Sequence, residues 1–194
     1  MTPVTEKGSQ TREAILDRAV DLASVEGLEG LTIGRLAAEL RMSKSGLFAH
    51  FGSKQELQLA TIGAAAARFR ATVVEPALER PEGAARLRAL AGRYLDQTDA
   101  YSGGCFWAAT SAEYDDRPGP VRDAIAASLD AWLAALEGEA RTAGVEHPKR
   151  FAFEMYSLVI GANSRYRLTG DRRVFGYARE AIEQLLSGLD GEKG

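Results

Sequence analysis

Lys44, Ser45, Phe48, His50 and Lys54 crowd into one short stretch, with the small residues Gly46 and Ala49 between them. They offer a cation, a hydroxyl, an aromatic face, an imidazole and a second cation. On the outward side of a helix such a set suits the DNA major groove. There hydroxyls and cations meet phosphates and base edges, and an aromatic meets a thymine methyl. Elements that would present them can be read around them. Thr32 caps a first helix on which Leu36, Ala37 and Leu40 share one face, with Ala37 small where another helix must approach. Ser43 caps a second helix whose inward residues are Leu47 and Phe51, four apart. Any helical hairpin buries a leucine stripe, so the flank carries the distinction. Ser53 and Glu56 form a Ser-x-x-Glu capping box that starts a third helix with Lys54 in its first turn. The helix dipole favours an acid there, so a lysine at that place is explained by an external anion such as a phosphate.

Residues 11–62 resemble the N-terminal domain of the TetR family of bacterial transcriptional repressors. The resemblance rests on an amphipathic helix from Thr11, on Gly30-Leu31-Thr32-Ile33 and on Leu36-Ala37-Ala38-Glu39-Leu40. Ser43 through Phe51 and the Ser53-Lys54 helix start complete it. Two positions depart from the family pattern. Arg41-Met42-Ser43 stands where Gly-Val-Ser is usual, which requires Arg41 to adopt a conformation that glycine takes more cheaply. Phe48 replaces the usual tyrosine, keeping the ring and losing the hydroxyl. The expected DNA-contacting set is Thr32, Arg35, Ser43, Lys44, Ser45, Gly46, Phe48, His50 and Lys54.

The 194 residues suffice for one large or two small domains, and 45% hydrophobic with 26% charged residues is ordinary for a soluble globular chain. The net charge of −3 is unevenly spread. Residues 33–54 hold Arg35, Arg41, Lys44 and Lys54 against Glu39 alone, a net +3 within an otherwise acidic chain. No apolar run is long enough to span a membrane, the first residues lack a signal-peptide core, and Cys105 is the single cysteine. A cytoplasmic protein is expected. Helical periodicity runs throughout, and the fold class is all-α, with about nine helices. Residues 11–56 are assigned to a three-helix helix-turn-helix domain and 57–189 to a larger helical effector-binding and dimerisation domain. The polar ends 1–10 and 190–194 are expected to be flexible.

Two apolar stripes mark the last helices: Phe151, Met155, Leu158, Val159 and Ala162, and Val174, Ala178, Ala181, Leu185 and Leu189. Periodicity leaves open whether they pair within one chain or between two. The resemblance implies a homodimer seam, and DNA geometry agrees, because two recognition helices one turn apart read a palindromic double-stranded operator. The resemblance also implies a pocket for a small-molecule effector, apolar or aromatic, in the C-terminal helices. Tyr94, Cys105, Phe106, Trp107, Tyr114, Trp132 and Tyr156 are its candidate lining, with Gly103-Gly104 allowing a close backbone approach; the same aromatics could equally fill a core. In the family, effector binding tilts the helix that begins at Ser53 and separates the recognition helices.

No phosphate-cradling glycine loop, zinc-binding His-Glu-x-x-His or nucleophile elbow occurs, and His50, His147 and Cys105 leave little material for a metal or a triad. Glu113, Asp115 and Asp116 read as a solvated helix end more readily than as a cation site. No enzyme activity, metal, cofactor or membrane partner is expected. The first reading is a dimeric, effector-released repressor. The alternative is a helical small-molecule-binding protein or enzyme in which the hairpin is only structural.

Overall fold

In a computed structural model residues 6–187 and 189 are described, and among them every regular element is helical. Of the polar ends, 1–5 and 190–194 lie outside the described residues, while 6–10 open the first helix. The order is α1 (Glu6–Gly30), α2 (Ile33–Leu40), α3 (Lys44–Phe51) and α4 (Lys54–Phe69), which runs on through a π turn (Arg70–Val74) into the short α5 (Glu75–Ala77). Then come α6 (Ala84–Gln97), α7 (Phe106–Tyr114), α8 (Pro120–Thr142), α9 (Pro148–Thr169) and α10 (Arg173–Ser187). Counting α4 to α5 as one run gives nine helices among the described residues, as the periodicity led us to expect. No helix among the described residues is long and apolar enough to cross a membrane.

Contacts divide the chain into two compact units: one holds the described residues through Arg68 with Tyr101–Ala126, the other Phe69–Ala100 with Ala127 onward. In the first unit Ile15, Ala19, Val20, Leu22 and Ala23 of α1 are buried, together with Leu36, Leu47, Phe51 and Leu57 from α2, α3 and α4. Gly27 breaks α1 with φ 79° and ψ 163°, a conformation essentially confined to glycine. The turn after it is held by α7, because the Glu113 carboxylate accepts from the Leu28 N–H (2.7 Å) and the Glu29 N–H (2.9 Å). Free N–H groups at a helix start need such an acceptor. Gly103 brings the loop before α7 against α1. A Cβ there would lie 1.8 Å from the Ser24 carbonyl oxygen. The close approach expected at Gly103-Gly104 is therefore to the backbone of α1. It is fastened by the Gly103 N–H donating to Ser24 Oγ and the Ser102 N–H to Asp21 Oδ1, both at 2.9 Å.

In the second unit α10 packs on α9 and α6. Glu139 accepts from the Gly83 N–H at the start of α6 (2.8 Å) and pairs with Arg86 (2.7 Å), both side chains largely buried. Arg88–Glu183 (2.9 Å) and Arg179–Asp96 (2.6 Å) join α6 to α10 at the surface. Phe69, Tyr94 and Trp132 form an edge-to-face trio with centroids 5.0–5.5 Å apart, a geometry that favours ring quadrupoles.

Candidate nucleic-acid interface

The helix-turn-helix is built by short-range rules. Thr32 Oγ1 accepts from the Arg35 N–H at 3.0 Å and starts α2, and Ser43 Oγ accepts from the Gly46 N–H at 3.1 Å and starts α3. Arg41 ends α2 at φ 54° and ψ 35°, the only non-glycine left-handed residue among those described. Leu47 and Phe51 turn inward and are buried, while Lys44, Ser45, Phe48 and Ala49 are exposed and Gly46 and His50 are half-buried. Phe48 keeps 55% of its surface open, a large apolar side chain unused by the core. Ser53 caps α4 through the Glu56 N–H (3.1 Å), but only half of the capping box forms. The Ser53 N–H goes instead to the Phe51 carbonyl (2.7 Å), leaving the Glu56 carboxylate beside Gly52.

The basic patch is narrower than the charge count implies. Arg35 is held at the surface by Glu26 (2.6 Å) and Glu39 (2.9 Å), and Arg18 joins the same network through Glu39 and Asp21. These hydrogen-bonded pairs raise the Arg35 guanidinium further above its usual value and, led by Arg18, lower Glu39. Lys54 Nζ pairs with Glu29 Oε1 at 2.5 Å. Among the four cations of residues 33–54, Arg41 and Lys44 make no ion pair with described residues. Arg41 was absent from the expected contact set, although its charge and its place in the turn pointed to it.

The candidate effector residues fall in different units. Cys105, Phe106, Trp107 and Tyr114 are buried in the first, where α7 packs on α1. Tyr114 Oη accepts from Gln58 Nε2 (3.0 Å) and donates to Glu29 (3.2 Å). Burial, then the nearby Glu29 and Glu113 charges, push its hydroxyl up to about 12, so it stays protonated as a donor. Tyr94, Trp132 and Tyr156 belong to the second unit. With Ala91, Leu136, Met155 and Val159 they line a crevice of about 170 Å³, too narrow for a water molecule. Trp132 Nε1 is buried there without a hydrogen-bond partner among the described residues. Among the described residues no group of three or more metal-ligating side chains gathers, and Glu113 is engaged with backbone donors.

In α9, Phe151, Met155, Val159 and Ala162 are buried within the protomer, as is Ala178 of α10. The outward face differs: Leu158, Ala181 and Leu185, with Phe153, Glu154, Ser157 and Gln184, border an open groove between the two helices. Phe153 is 64% exposed. Val174 is half-buried. Phe153 escapes the periodic stripe because it lies two residues from Phe151, on the opposite side of the helix.

A capped helical hairpin with an exposed polar and aromatic second helix, followed by a helical body, defines a helix-turn-helix protein. Residues 15–61 match the model for bacterial regulatory proteins of the tetR family, and 83–182 match that for the tetracyclin repressor-like C-terminal domain. No curated protein sequence matches the chain. Among solved structures, a TetR-family transcriptional regulator from Streptomyces coelicolor is 25% identical, with 93% of this chain and 96% of that one covered at a TM-score of 0.81. One from Cytophaga hutchinsonii is 21% identical, with 97% and 98% covered and a TM-score of 0.83. AibR, solved in complex with isovaleryl coenzyme A and operator DNA, is 23% identical, with 90% and 98% covered and a TM-score of 0.73. The chain belongs to the TetR family of bacterial transcriptional regulators, a family of non-enzymatic transcription factors.

Proposed function

We propose that the chain is a homodimeric repressor that reads a palindromic operator with α3 and leaves it when a small apolar or aromatic effector binds the C-terminal helices. The observation that carries the reading is the outward face of α3. Lys44, Ser45, Phe48 and Ala49 are exposed there, and the unpaired cations Arg41 and Lys44 sit at its N-terminal end. Lys44 and Ser45 approach base edges, Phe48 meets a thymine methyl or sugar, and His50 and Lys54 anchor phosphates. Thr32, Ser43 and Gly46 act through the caps that aim α3, and Arg35 through its pairs with Glu26 and Glu39.

Dimerisation is assigned to the α9–α10 groove bordered by Phe153, Leu158, Ala181 and Leu185, an apolar face left open by the protomer. The effector is assigned to the C-terminal helices of the second unit, where the aromatic crevice of Tyr94, Trp132 and Tyr156, too narrow for water as it stands, must widen to admit it. AibR, of the same fold, is seen with operator DNA and a small molecule, isovaleryl coenzyme A, which supports a ligand-responsive DNA-binding reading without indicating the chemistry of this chain's effector. Selection of bound duplexes from a random library tests the reading. An inverted repeat with half-sites about one helical turn apart is expected. Recovery of no preferred sequence, or of an unrepeated one, would overturn the dimeric operator.

A further inference from the structure

Lys54, the phosphate anchor of the proposed interface, is already occupied by a carboxylate of its own chain. Glu29 Oε1 lies 2.5 Å from Lys54 Nζ, and its other oxygen accepts from Tyr114 Oη at 3.2 Å, with Arg117 3.9 Å away. Glu29 is not free to wander. Gly27 breaks α1 just before it, Glu113 binds its N–H and that of Leu28, and Gln58 of α4 donates to the Leu28 carbonyl at 2.7 Å. Gln58 also donates to Tyr114 Oη, closing a ring of contacts among the turn, α4 and the end of α7. These bonds fix the backbone that carries Glu29, while its carboxylate, still half exposed, is directed to Lys54 by the Tyr114 hydroxyl.

We propose that Glu29 is an internal competitor for the DNA phosphate at Lys54, a positioning residue that lowers DNA affinity and is held on the lysine by the Tyr114 hydroxyl. The inference rests on the DNA-binding reading above. A phosphate at Lys54 Nζ must either share the three N–H donors with the carboxylate, against its negative charge, or displace it, and in both cases part of the contact's gain is offset. The Glu29 carboxyl is held below its ordinary range, first by its hydrogen bond to Lys54, so it is charged as a competitor at neutral pH. Because α7 supplies both Glu113 and Tyr114, any rearrangement of α7 changes how firmly Lys54 is withheld.

The probe is a fluorescent DNA duplex of arbitrary sequence, since phosphate contacts are independent of sequence. Glu29→Gln is expected to tighten binding about two- to fivefold, the range that an exposed ion pair covers. In a Lys54→Ala background the same change is expected to give almost no gain, and Tyr114→Phe alone a smaller gain of the same sign. An unchanged affinity for both Glu29→Gln and Tyr114→Phe would overturn the inference. So would a gain that persists without Lys54, which would reduce Glu29 to one negative charge among many. Failure of the unaltered protein to bind any duplex would instead overturn the DNA-binding reading itself.

Discussion

Gly103→Ala is expected to be among the most damaging one-carbon changes in the chain. A Cβ at this position would lie 1.8 Å from the Ser24 carbonyl oxygen, 2.1 Å from its carbon and 2.6 Å from the Val25 nitrogen. All three are backbone atoms, so no side chain can rotate out of the way. The loop before α7 must withdraw from α1 and lose the Gly103–Ser24 and Ser102–Asp21 hydrogen bonds. Two such bonds contribute about 1 kcal/mol each. Overpacking adds about 1–3 kcal/mol. A loss of about 3–5 kcal/mol in a chain of this size corresponds to a fall in Tm of about 10 °C. Gly138→Ala in α8, where an added Cβ meets nothing within 4 Å, is the control and is expected to be neutral or slightly stabilising. Thermal unfolding followed by far-UV circular dichroism compares the two. A Gly103→Ala Tm within a degree or two of the unaltered protein would refute the close-approach reasoning.

Arg41→Gly is expected to stabilise the chain by about 1 kcal/mol, since a left-handed backbone suits glycine, while weakening DNA binding; denaturant unfolding checks the first half. Glu39, Glu29 and Asp171 are all held below the usual carboxylate range by arginine or lysine partners, Asp171 down to about 2 by Arg173. Their pairs therefore stabilise the fold above about pH 4 and fade as pH falls through the folded values. Glu39→Gln should accordingly lower Tm at pH 7 and progressively less toward pH 3, and an equal deficit at both would contradict this. Leu158→Glu with Leu185→Glu is expected to give a folded monomer by light scattering, because both residues border the open groove. An unfolded product would place them in the protomer core.

The hairpin was legible because its determinants are local. Thr32, Ser43 and Ser53 cap the helices that their positions in the chain imply, and Arg41 adopts the left-handed turn that its departure from glycine foretold. What stayed hidden depends on residues far apart in sequence. Nothing near Glu113 shows that it binds the turn at Leu28, 85 residues away, or that Gly27 breaks α1 there. Charge counting set Glu39 alone against the cations of residues 33–54, whereas Glu26 and Glu29, outside that window, also reach Arg35 and Lys54 in the folded chain. Periodicity found the apolar stripe of α9 but not its direction. Phe151, Met155, Val159 and Ala162 face the protomer interior, and Phe153 and Leu158 the groove.

DNA recognition by α3 is tested most directly by the affinity for a selected inverted repeat, measured across a salt series for the unaltered protein and Lys44→Ala. The logarithm of the binding constant should fall linearly with the logarithm of salt concentration. Lys44→Ala should cost about 1–3 kcal/mol on that site and relax preference at one position. Binding that ignores salt, or a Lys44→Ala variant that holds the repeat as tightly and selectively as the unaltered chain, would contradict the assignment of α3 to the major groove.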